Sequence, residues 1–266
     1  MNDAADAVPE WVRLADNQSR LAVGQALGAM AARDSSVIAI SADTVDLIGL
    51  RGFAEDYPDR LVEVGIAEQN AMGIASGLAT TGLRPFVCGY APFITARSLE
   101  QLRNDVSYAN QRVVIAAAAA GISLGMAGGT HHAIEDLAIT RNMPNMTVIV
   151  PADAHQAWHA TQATDDLDGP VYIRLGGRIE EPPVTPIDGP FQVGRAETLR
   201  TGGDVAIIAC GCMVAPALAA AADLAGEGID ARVLNMHTIK PLDTDAVLAA
   251  AAETRGIVTA EEHRLT

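Results

Sequence analysis

Aromatic side chains are scarce in this 266-residue sequence. Phe, Tyr and Trp together make up 4% of the residues, although 49% are hydrophobic. A large core therefore has to be built from Ala, Val, Ile and Leu. Aliphatic strands that are buried on both faces are typical of parallel sheets covered by helices. The chain is long enough for one large domain or two ordinary ones, so its composition favours an α/β protein.

Positive charge and long apolar runs are also lacking. Eighteen Lys and Arg residues stand against 33 Asp and Glu residues, which gives a net charge of −15. A balance of this sign disfavours a general nucleic-acid surface. No apolar run reaches the length of a membrane span, and residues 1–16 are acidic and polar, unlike a signal peptide. We therefore predict a cytoplasmic protein whose partners are neither nucleic acids nor membranes.

Cysteine is rare as well. The three cysteines, Cys88, Cys210 and Cys212, lie on or beside apparent buried strands. The Cys-x-Cys spacing has neither a second pair nor a His cluster beside it, so it is weak evidence for a zinc site. We interpret all three as reduced core residues, which agrees with a cytoplasmic location.

Strand and helix patterns alternate through the first two thirds of the chain. Predicted strands cover residues 35–43, 85–90, 113–120, 147–152 and 171–175, and predicted helices cover 17–33, 93–110, 133–142 and 153–163. The first helix has Asn17 or Ser19 as a plausible N-cap. This alternation predicts a parallel sheet with helices on both faces.

A proline-rich stretch then separates a second, smaller unit. Residues 176–190 contain four prolines and no periodicity, which is typical of a linker. Further strands are predicted at 204–211, 231–237 and 256–262, with Ala-rich helices between them. We predict a leader at residues 1–16, a first domain at 17–180, a linker at 181–190 and a smaller α/β domain at 191–266.

The most informative stretch is residues 61–90. An apolar run from Leu61 predicts a strand that ends at Gly65, and Glu68 then opens a helix rich in Ala and Gly. A carboxylate in the first turn of a helix is favoured by the helix dipole alone, so its position does not establish a functional role.

The string GIAEQN, followed by an Ala/Gly helix and GLRPF, closely resembles the pyrimidine-binding domain of transketolases and of deoxyxylulose-phosphate synthases. The segments GCMV, IKPLD and TAEEH in the second half resemble the transketolase C-terminal domain. The resemblance implies a parallel-sheet domain that binds the pyrimidine of thiamine diphosphate, followed by a smaller α/β domain of the C-terminal type. It implies a transferase of aldehyde or ketone groups.

The resemblance also implies roles for individual residues. Glu68 falls on the catalytic glutamate that hydrogen-bonds the aminopyrimidine, and Phe93, Tyr90 and Ile66 fall on its cofactor-binding surroundings. His131 falls on a histidine that points at the reacting carbon, and it is suited to general acid–base work or to donation to a substrate oxygen. The pair His131 and His132 could instead cap the following helix or bind a metal.

Substrate contacts are expected from arginines. Arg20 matches a phosphate-contacting arginine, and Arg174 and Arg178 bracket the position of another. An acidic residue that recognises a donor hydroxyl is replaced by Ala127, and a phosphate-binding histidine is replaced by Ala119. These losses predict a less polar two-carbon or acyl transfer on a non-standard substrate, because buried polar groups of an ordinary phosphosugar would lack partners. Arg97 and Glu100 are expected to form ion pairs at a subunit interface.

Family members hold the cofactor diphosphate and Mg²⁺ with a Gly-Asp-Gly segment and a later Asn. No Gly-Asp-Gly segment occurs in these 266 residues. We therefore predict a split enzyme in which a separate N-terminal chain holds the diphosphate and Mg²⁺, with two copies of each chain in a heterotetramer. Three alternatives remain open: the β subunit of a 2-oxo-acid dehydrogenase, half of an enzyme like deoxyxylulose-phosphate synthase, and a non-catalytic subunit that kept only the fold.

Overall fold

The structure is a computed structural model that describes residues 18–177 and 181–265. The first sheet has seven strands in the order β10-β5-β6-β4-β3-β1-β2. These strands are β1 Val37–Ser41, β2 Leu61–Glu63, β3 Arg84–Tyr90, β4 Val114–Ala118, β5 Thr147–Ile149, β6 Val171–Arg174 and β10 Thr238–Lys240. All neighbours are parallel except β10, which is antiparallel to β5.

Helices cover both faces of this sheet, as predicted. On one face lie α1 Ser19–Arg33 and α6 Ala154–Ala163, with α2 Arg51–Asp56 packed against α1. On the other face lie α3 Glu68–Ala79, a helical segment at residues 93–108 and α5 Asp136–Arg141. The 93–108 segment has α4 Leu99–Gln101 between two π-helical stretches, Phe93–Arg97 and Leu102–Tyr108. Small and aliphatic side chains fill both interfaces, as the scarcity of aromatic residues requires.

The second sheet is smaller, with four strands in the order β11-β8-β9-β7. Its strands are β7 Glu197–Arg200, β8 Val205–Ala209, β9 Ala231–Asn235 and β11 Ile257–Ala260. Strand β7 is antiparallel to β9, and the other pairs are parallel. The helices α7 Val214–Gly226 and α8 Thr244–Glu253 accompany it, and Ala, Val, Ile and Leu fill a core on each face.

Several boundaries differ from the sequence prediction. Strand β2 ends at Glu63 rather than Gly65, because the Glu63 carboxylate accepts hydrogen bonds from the amides of Asp43 and Gly65 and turns the chain. Helix α5 begins at Asp136 rather than residue 133, because Ala133 pairs in a β-bridge with Gly121. Helix α2 and strands β7 and β10 were not predicted.

The proline-rich linker is docked on the first domain rather than extended in solvent. The carboxylate of Glu181 accepts hydrogen bonds from the amide and the hydroxyl of Ser19, at the start of α1. The Asp153 carboxylate accepts from the amides of Val184 and Thr185. The predicted capping role of Ser19 is therefore wrong: Gln18 is the N-cap of α1, and Asn17 lies outside the described residues.

No helix in the described part of the chain combines the length and the apolarity needed to cross a membrane.

Candidate active site

The carboxyl ends of neighbouring parallel strands meet at one edge of the first sheet. Strands β4, β3, β1 and β2 lie side by side there. The loop after β4 carries His131, Tyr90 ends β3 with Phe93 just beyond it, and Glu68 opens α3 just after β2. Ligands of parallel α/β sheets bind at this edge, because the loops converge there. The fold therefore brings together residues that are up to 63 positions apart in sequence.

Glu68 is buried, and its ion-pair partner Arg97 is exposed. Its side chain is 5% exposed, and Oε2 accepts a hydrogen bond of 2.8 Å from Nη1 of Arg97, whose side chain is 47% exposed. Among the residues that the structure describes, Arg97 is the hydrogen-bond partner of this carboxylate, which leaves Oε1 for a ligand. Arg97 thus forms an ion pair within this chain, and its role at a subunit interface stays a prediction. Glu100 is exposed and accepts from Asn104 and Gln101.

A π-helical turn places Arg97 against Phe93. The amide of Ser98 donates to the carbonyl of Phe93, five residues back, and closes the wide turn that defines a π-helix. As a result the Arg97 guanidinium lies 4.6 Å from the centroid of the Phe93 ring. This cation–π contact fixes the ring beside the Glu68 carboxylate.

Three rings complete the cluster. The centroid of the His131 imidazole lies 5.1 Å from that of Phe93 and 5.6 Å from that of Tyr90, and both pairs meet edge to face. The Tyr90 and Phe93 centroids are 5.8 Å apart. Thr130 Oγ1 lies 3.0 Å from His131 Nδ1, so one ring nitrogen is held by the loop itself. Ile66 is exposed at the rim, two residues before Glu68.

The structure gives the predicted substrate arginines other partners. Arg20 Nε donates to the carbonyl of Gly177, and its terminal nitrogens donate to the carbonyls of Asp46 and Leu47 and to Gln18. Arg174 is paired with Asp136 inside the protein. Arg178 lies outside the described residues. This geometry favours structural roles for Arg20 and Arg174, and a contact of either with a substrate stays a prediction that it does not support.

The two alanines that the sequence resemblance aligns with polar family residues lie just after β4 and in the loop that carries His131. Ala119 follows β4 with its methyl group fully buried, and it adopts a left-handed backbone conformation with φ of 57°. Ala127 is half-buried in the same loop as His131. No group of three or more His, Cys, Asp or Glu side chains in the described residues has a metal-binding arrangement, so the geometry gives no support to a metal site at His131 and His132.

Comparison with known proteins decides the family. The sequence profile of the transketolase pyrimidine-binding domain matches residues 16–178, and that of the transketolase C-terminal domain matches residues 194–266. The chain belongs to the transketolase family. Its two-sheet α/β architecture is the transketolase fold, as the sequence resemblance implied.

Two relatives are subunits of transketolases. The chain is 42% identical over 235 residues to a subunit of the apulose-4-phosphate transketolase of Phocaeicola vulgatus, covering 88% of this chain and 75% of that protein. It is 43% identical over 234 residues to a 6-deoxy-6-sulfo-D-fructose transketolase subunit of a Clostridium species, covering 87% of this chain and 71% of that one.

A solved structure and a longer enzyme complete the comparison. A split-gene transketolase, described as an inactive β4 tetramer, superposes with a TM-score of 0.85 at 42% identity, covering 93% of this chain and 80% of that one. The 1-deoxy-D-xylulose-5-phosphate synthase 1 of Geobacter sulfurreducens is 40% identical over 249 residues, which is 91% of this chain but 38% of the synthase.

The donor set suits thiamine diphosphate, the cofactor that membership of this family implies. A carboxyl group that is buried on one side can share a proton with a ring nitrogen of the aminopyrimidine. The aromatic side chains beside it offer flat apolar surfaces for the same ring. Glu68, Phe93, Tyr90 and Ile66 would hold the aminopyrimidine.

Proposed function

We propose that this chain is one half of a two-chain, thiamine-diphosphate-dependent transferase of the transketolase type, which moves a two-carbon ketol unit between sugars. The observation that carries the proposal is the contact cluster of Glu68, Arg97, Phe93, Tyr90 and His131 at the carboxyl edge of the sheet. Each side chain of this cluster touches at least one other, so a ligand that meets the carboxylate also meets the rings.

The bound cofactor would supply a carbanion that accepts and releases the transferred unit. Glu68 would meet a ring nitrogen of the aminopyrimidine with Oε1, where the carboxylate could accept a hydrogen bond or a proton from the ring. Arg97 would fix the other carboxylate oxygen and keep Phe93 in place. His131 would donate a proton or a hydrogen bond to a substrate oxygen, with the ring steadied at Nδ1 by Thr130.

The second chain would hold the diphosphate and Mg²⁺. This proposal is supported by the lack of a Gly-Asp-Gly segment in the sequence. It is also supported by the names of the relatives, since two are subunits and one is a split-gene product. We propose that two copies of each chain form the active heterotetramer.

The substrate would be a non-standard sugar rather than a common phosphosugar. Ala127 and Ala119 offer methyl groups where sugar enzymes of the family have an acid and a histidine. The named relatives act on apulose 4-phosphate and on a sulfonated deoxyfructose, which supports an unusual donor. A hydrogen-bonding site rejects analogues that lack its partner, and loss of such a site relaxes that selection.

Reconstitution tests the proposal. The partner is sought as a separately encoded chain with a Gly-Asp-Gly segment and a later Asn. Each chain is then produced alone, and the two are also produced together. Transfer of a two-carbon unit to an aldose acceptor is then followed with xylulose 5-phosphate, unphosphorylated ketoses, apulose 4-phosphate and 6-deoxy-6-sulfo-D-fructose as ketol donors. Pyruvate is tested separately, because it can donate a two-carbon unit only with release of CO₂. We expect activity only in the mixture, with a ketose as the donor.

Each other result has a defined meaning. Activity with pyruvate and glyceraldehyde 3-phosphate would favour the reaction of the 40%-identical synthase instead. A preference for xylulose 5-phosphate as strong as that of a sugar transketolase would refute the non-standard substrate. No activity with any of these donors, apulose 4-phosphate and 6-deoxy-6-sulfo-D-fructose included, in a mixture that assembles, would refute the enzymatic proposal.

A further inference from the structure

The loop that carries His131 is closed at its base by a two-residue bridge. The amide of Gly121 donates to the carbonyl of Ala133 at 2.8 Å, and the amide of Ala133 donates back at 3.0 Å. Residues 122–132 therefore form a loop with a fixed base, which we call the histidine loop. His131 lies only two residues before Ala133, so a shift of the base moves the imidazole with it.

A segment of the second domain packs on this base. It follows β11 and comprises residues 261–264. A Cβ built on Gly121 would lie 2.8 Å from the Cβ and Cδ atoms of Glu262, which is closer than real contacts allow. Gly121 also has a φ of 62°, a conformation that suits glycine. The Glu262 side chain therefore lies directly against the backbone of the base, with no room for a side chain between them.

The Glu262 carboxylate is itself held from the second domain. Its Oε2 accepts a hydrogen bond of 3.0 Å from the thiol of Cys212, which precedes α7. The burial of Cys212 and its bond to Glu262 raise the pKa of the thiol, so it stays protonated and donates. This bond fixes the rotamer that packs against Gly121.

Further hydrogen bonds, from side chains and from the backbone, join the second-domain segment to the base of the loop. The Nη2 atom of Arg174 donates both to the carbonyl of Glu262 and to that of Ala133, each at 3.0 Å. The amide of Arg264 donates to the carbonyl of Ile134 at 3.0 Å, and the amide of Ala138 donates to His263 Nε2 at 3.2 Å. One guanidinium nitrogen thus links the second-domain segment directly to the base of the histidine loop.

We infer that Glu262 is a positioning residue for His131: its side chain, packed on Gly121, lets the second domain set the position of the histidine loop. The inference rests on the proposed function, in which His131 contacts the substrate. Glu262 touches neither the substrate nor the residues that hold the aminopyrimidine, so its removal affects the transfer step and leaves cofactor affinity unchanged.

A double-mutant cycle in the reconstituted complex tests the inference. We expect Glu262→Ala to lower kcat by about 10- to 100-fold, the loss expected when a reacting group is misplaced by about 1 Å. Glu262→Gln keeps the volume and an acceptor for Cys212, and it should restore most of that loss. The matched control is Glu261→Ala, which removes the same charge from the neighbouring exposed position.

The cycle is completed in a His131→Ala background. If Glu262 acts through His131, Glu262→Ala should lower kcat by less than about 2-fold in that background, because the effects of interacting residues are not additive. An equal loss in both backgrounds would overturn the inference, and so would unchanged activity of Glu262→Ala. An inactive wild-type complex would refute the proposed function and not this inference.

A measurement on this chain without its partner tests the inference independently of the proposed function. Amide hydrogen exchange is compared at Gly121 and Ala133, the two donors of the bridge. We expect Glu262→Ala to speed exchange at both by about 10-fold or more, while Glu261→Ala leaves them unchanged. Unchanged protection in Glu262→Ala would show that the segment does not hold the base, and it would overturn the inference without any assay of activity.

Discussion

Two of the arginine–carboxylate pairs in the first domain have the same length but a different character. Arg97 meets Glu68 at 2.8 Å with side-chain exposures of 47% and 5%, whereas Arg174 meets Asp136 at 2.8 Å with exposures of 5% and 0%. The first pair thus opens to solvent on its arginine side. The second is closed on both sides. The Glu68 carboxylate therefore adjoins an exposed arginine, whereas the Asp136 carboxylate lies wholly inside the protein.

The closed pair satisfies its own polar groups. The Tyr172 hydroxyl donates to Asp136 Oδ2 at 2.8 Å, and Arg174 Nη2 donates to Asp136 Oδ1. Burial works against the charge of Arg174, but the Asp136 carboxylate outweighs it and raises the arginine pKa. Burial, with the Asp136 charge, also raises the pKa of Tyr172, so its hydroxyl remains a donor. A network satisfied in this way serves the fold rather than a ligand.

The largest effect is expected when the open pair of Arg97 and Glu68 is broken. Glu68→Gln keeps the shape of the side chain but removes the exchangeable charge. In the reconstituted complex we expect turnover to fall by about 10²- to 10⁴-fold, the usual contribution of general acid–base catalysis. Assembly, measured by light scattering, should be unchanged. Glu55→Gln, at an exposed position of α2, is the matched control and should retain activity. Normal turnover of Glu68→Gln would remove Glu68 from the mechanism.

The next effect breaks the closed pair. Asp136→Ala leaves the Arg174 charge buried without its carboxylate, and we expect the free energy of unfolding to fall by about 3–5 kcal/mol. Denaturant unfolding of this chain measures it. The control is Asp46→Ala, which removes the partner of Arg51 in an exposed pair and should cost about 0–1 kcal/mol. A loss in Asp136→Ala no larger than that of the control would contradict a structural role.

Glu181 is a third buried carboxylate, and it accepts hydrogen bonds from the uncharged Ser19 rather than from an arginine. Burial raises the pKa of Glu181 to about 7, from its ordinary value of 4.5. The folded chain then retains a proton that the unfolded chain releases. Stability from this group is present below pH 4.5 and is lost as the pH rises to about 7.

The size of that loss follows from the shift, and it is on the order of 3 kcal/mol. Unfolding free energies measured at several pH values should fall across this window in the wild-type chain. In Glu181→Gln that part of the decline should be absent. An identical pH profile in the two proteins would mean that Glu181 ionises in the folded chain as it does in the unfolded one.

The smallest expected effect concerns the ring beside the open pair. Phe93→Leu removes the aromatic face and the contact with Arg97 but keeps the site apolar. Since such aromatic contacts contribute about 0.5–1.5 kcal/mol, cofactor affinity in the complex should weaken by about 2- to 12-fold. Phe53→Leu, in the core of the first domain, is the control for a lost ring. Unchanged affinity in Phe93→Leu would exclude Phe93 from the cofactor surface.

Local patterns predicted the elements that carry the site. The apolar spacing and the Ala/Gly run after Glu68 predicted α3, and the strand ending at Tyr90 was predicted with nearly its observed bounds. The family resemblance assigned Glu68, Phe93 and His131 to one site, and the structure brings them to the common edge at which the parallel strands end. The two π-helical stretches escaped prediction, since the sequence pattern indicated one helix over residues 93–110 and did not reveal its wider turns.

Long-range partners could not be predicted. Strand β10 comes from the second domain and pairs with β5, which its short sequence does not reveal. Arg174 looked like a ligand for an anion, and only the fold shows that Asp136, 38 residues away, occupies its guanidinium. The docking of the linker was not predicted, because it depends on Ser19 and Asp153. In each case the deciding contact joins residues that no local pattern connects.

We propose that this chain holds the aminopyrimidine of the cofactor and that a second chain holds its diphosphate. Calorimetric titration with thiamine diphosphate and Mg²⁺ tests it most directly, on this chain alone and on the complex. We expect weak binding or none to the chain alone and tight binding to the complex. The Glu68→Gln substitution should weaken the binding of thiamine diphosphate to the complex. Tight, stoichiometric binding by this chain without a partner would contradict it.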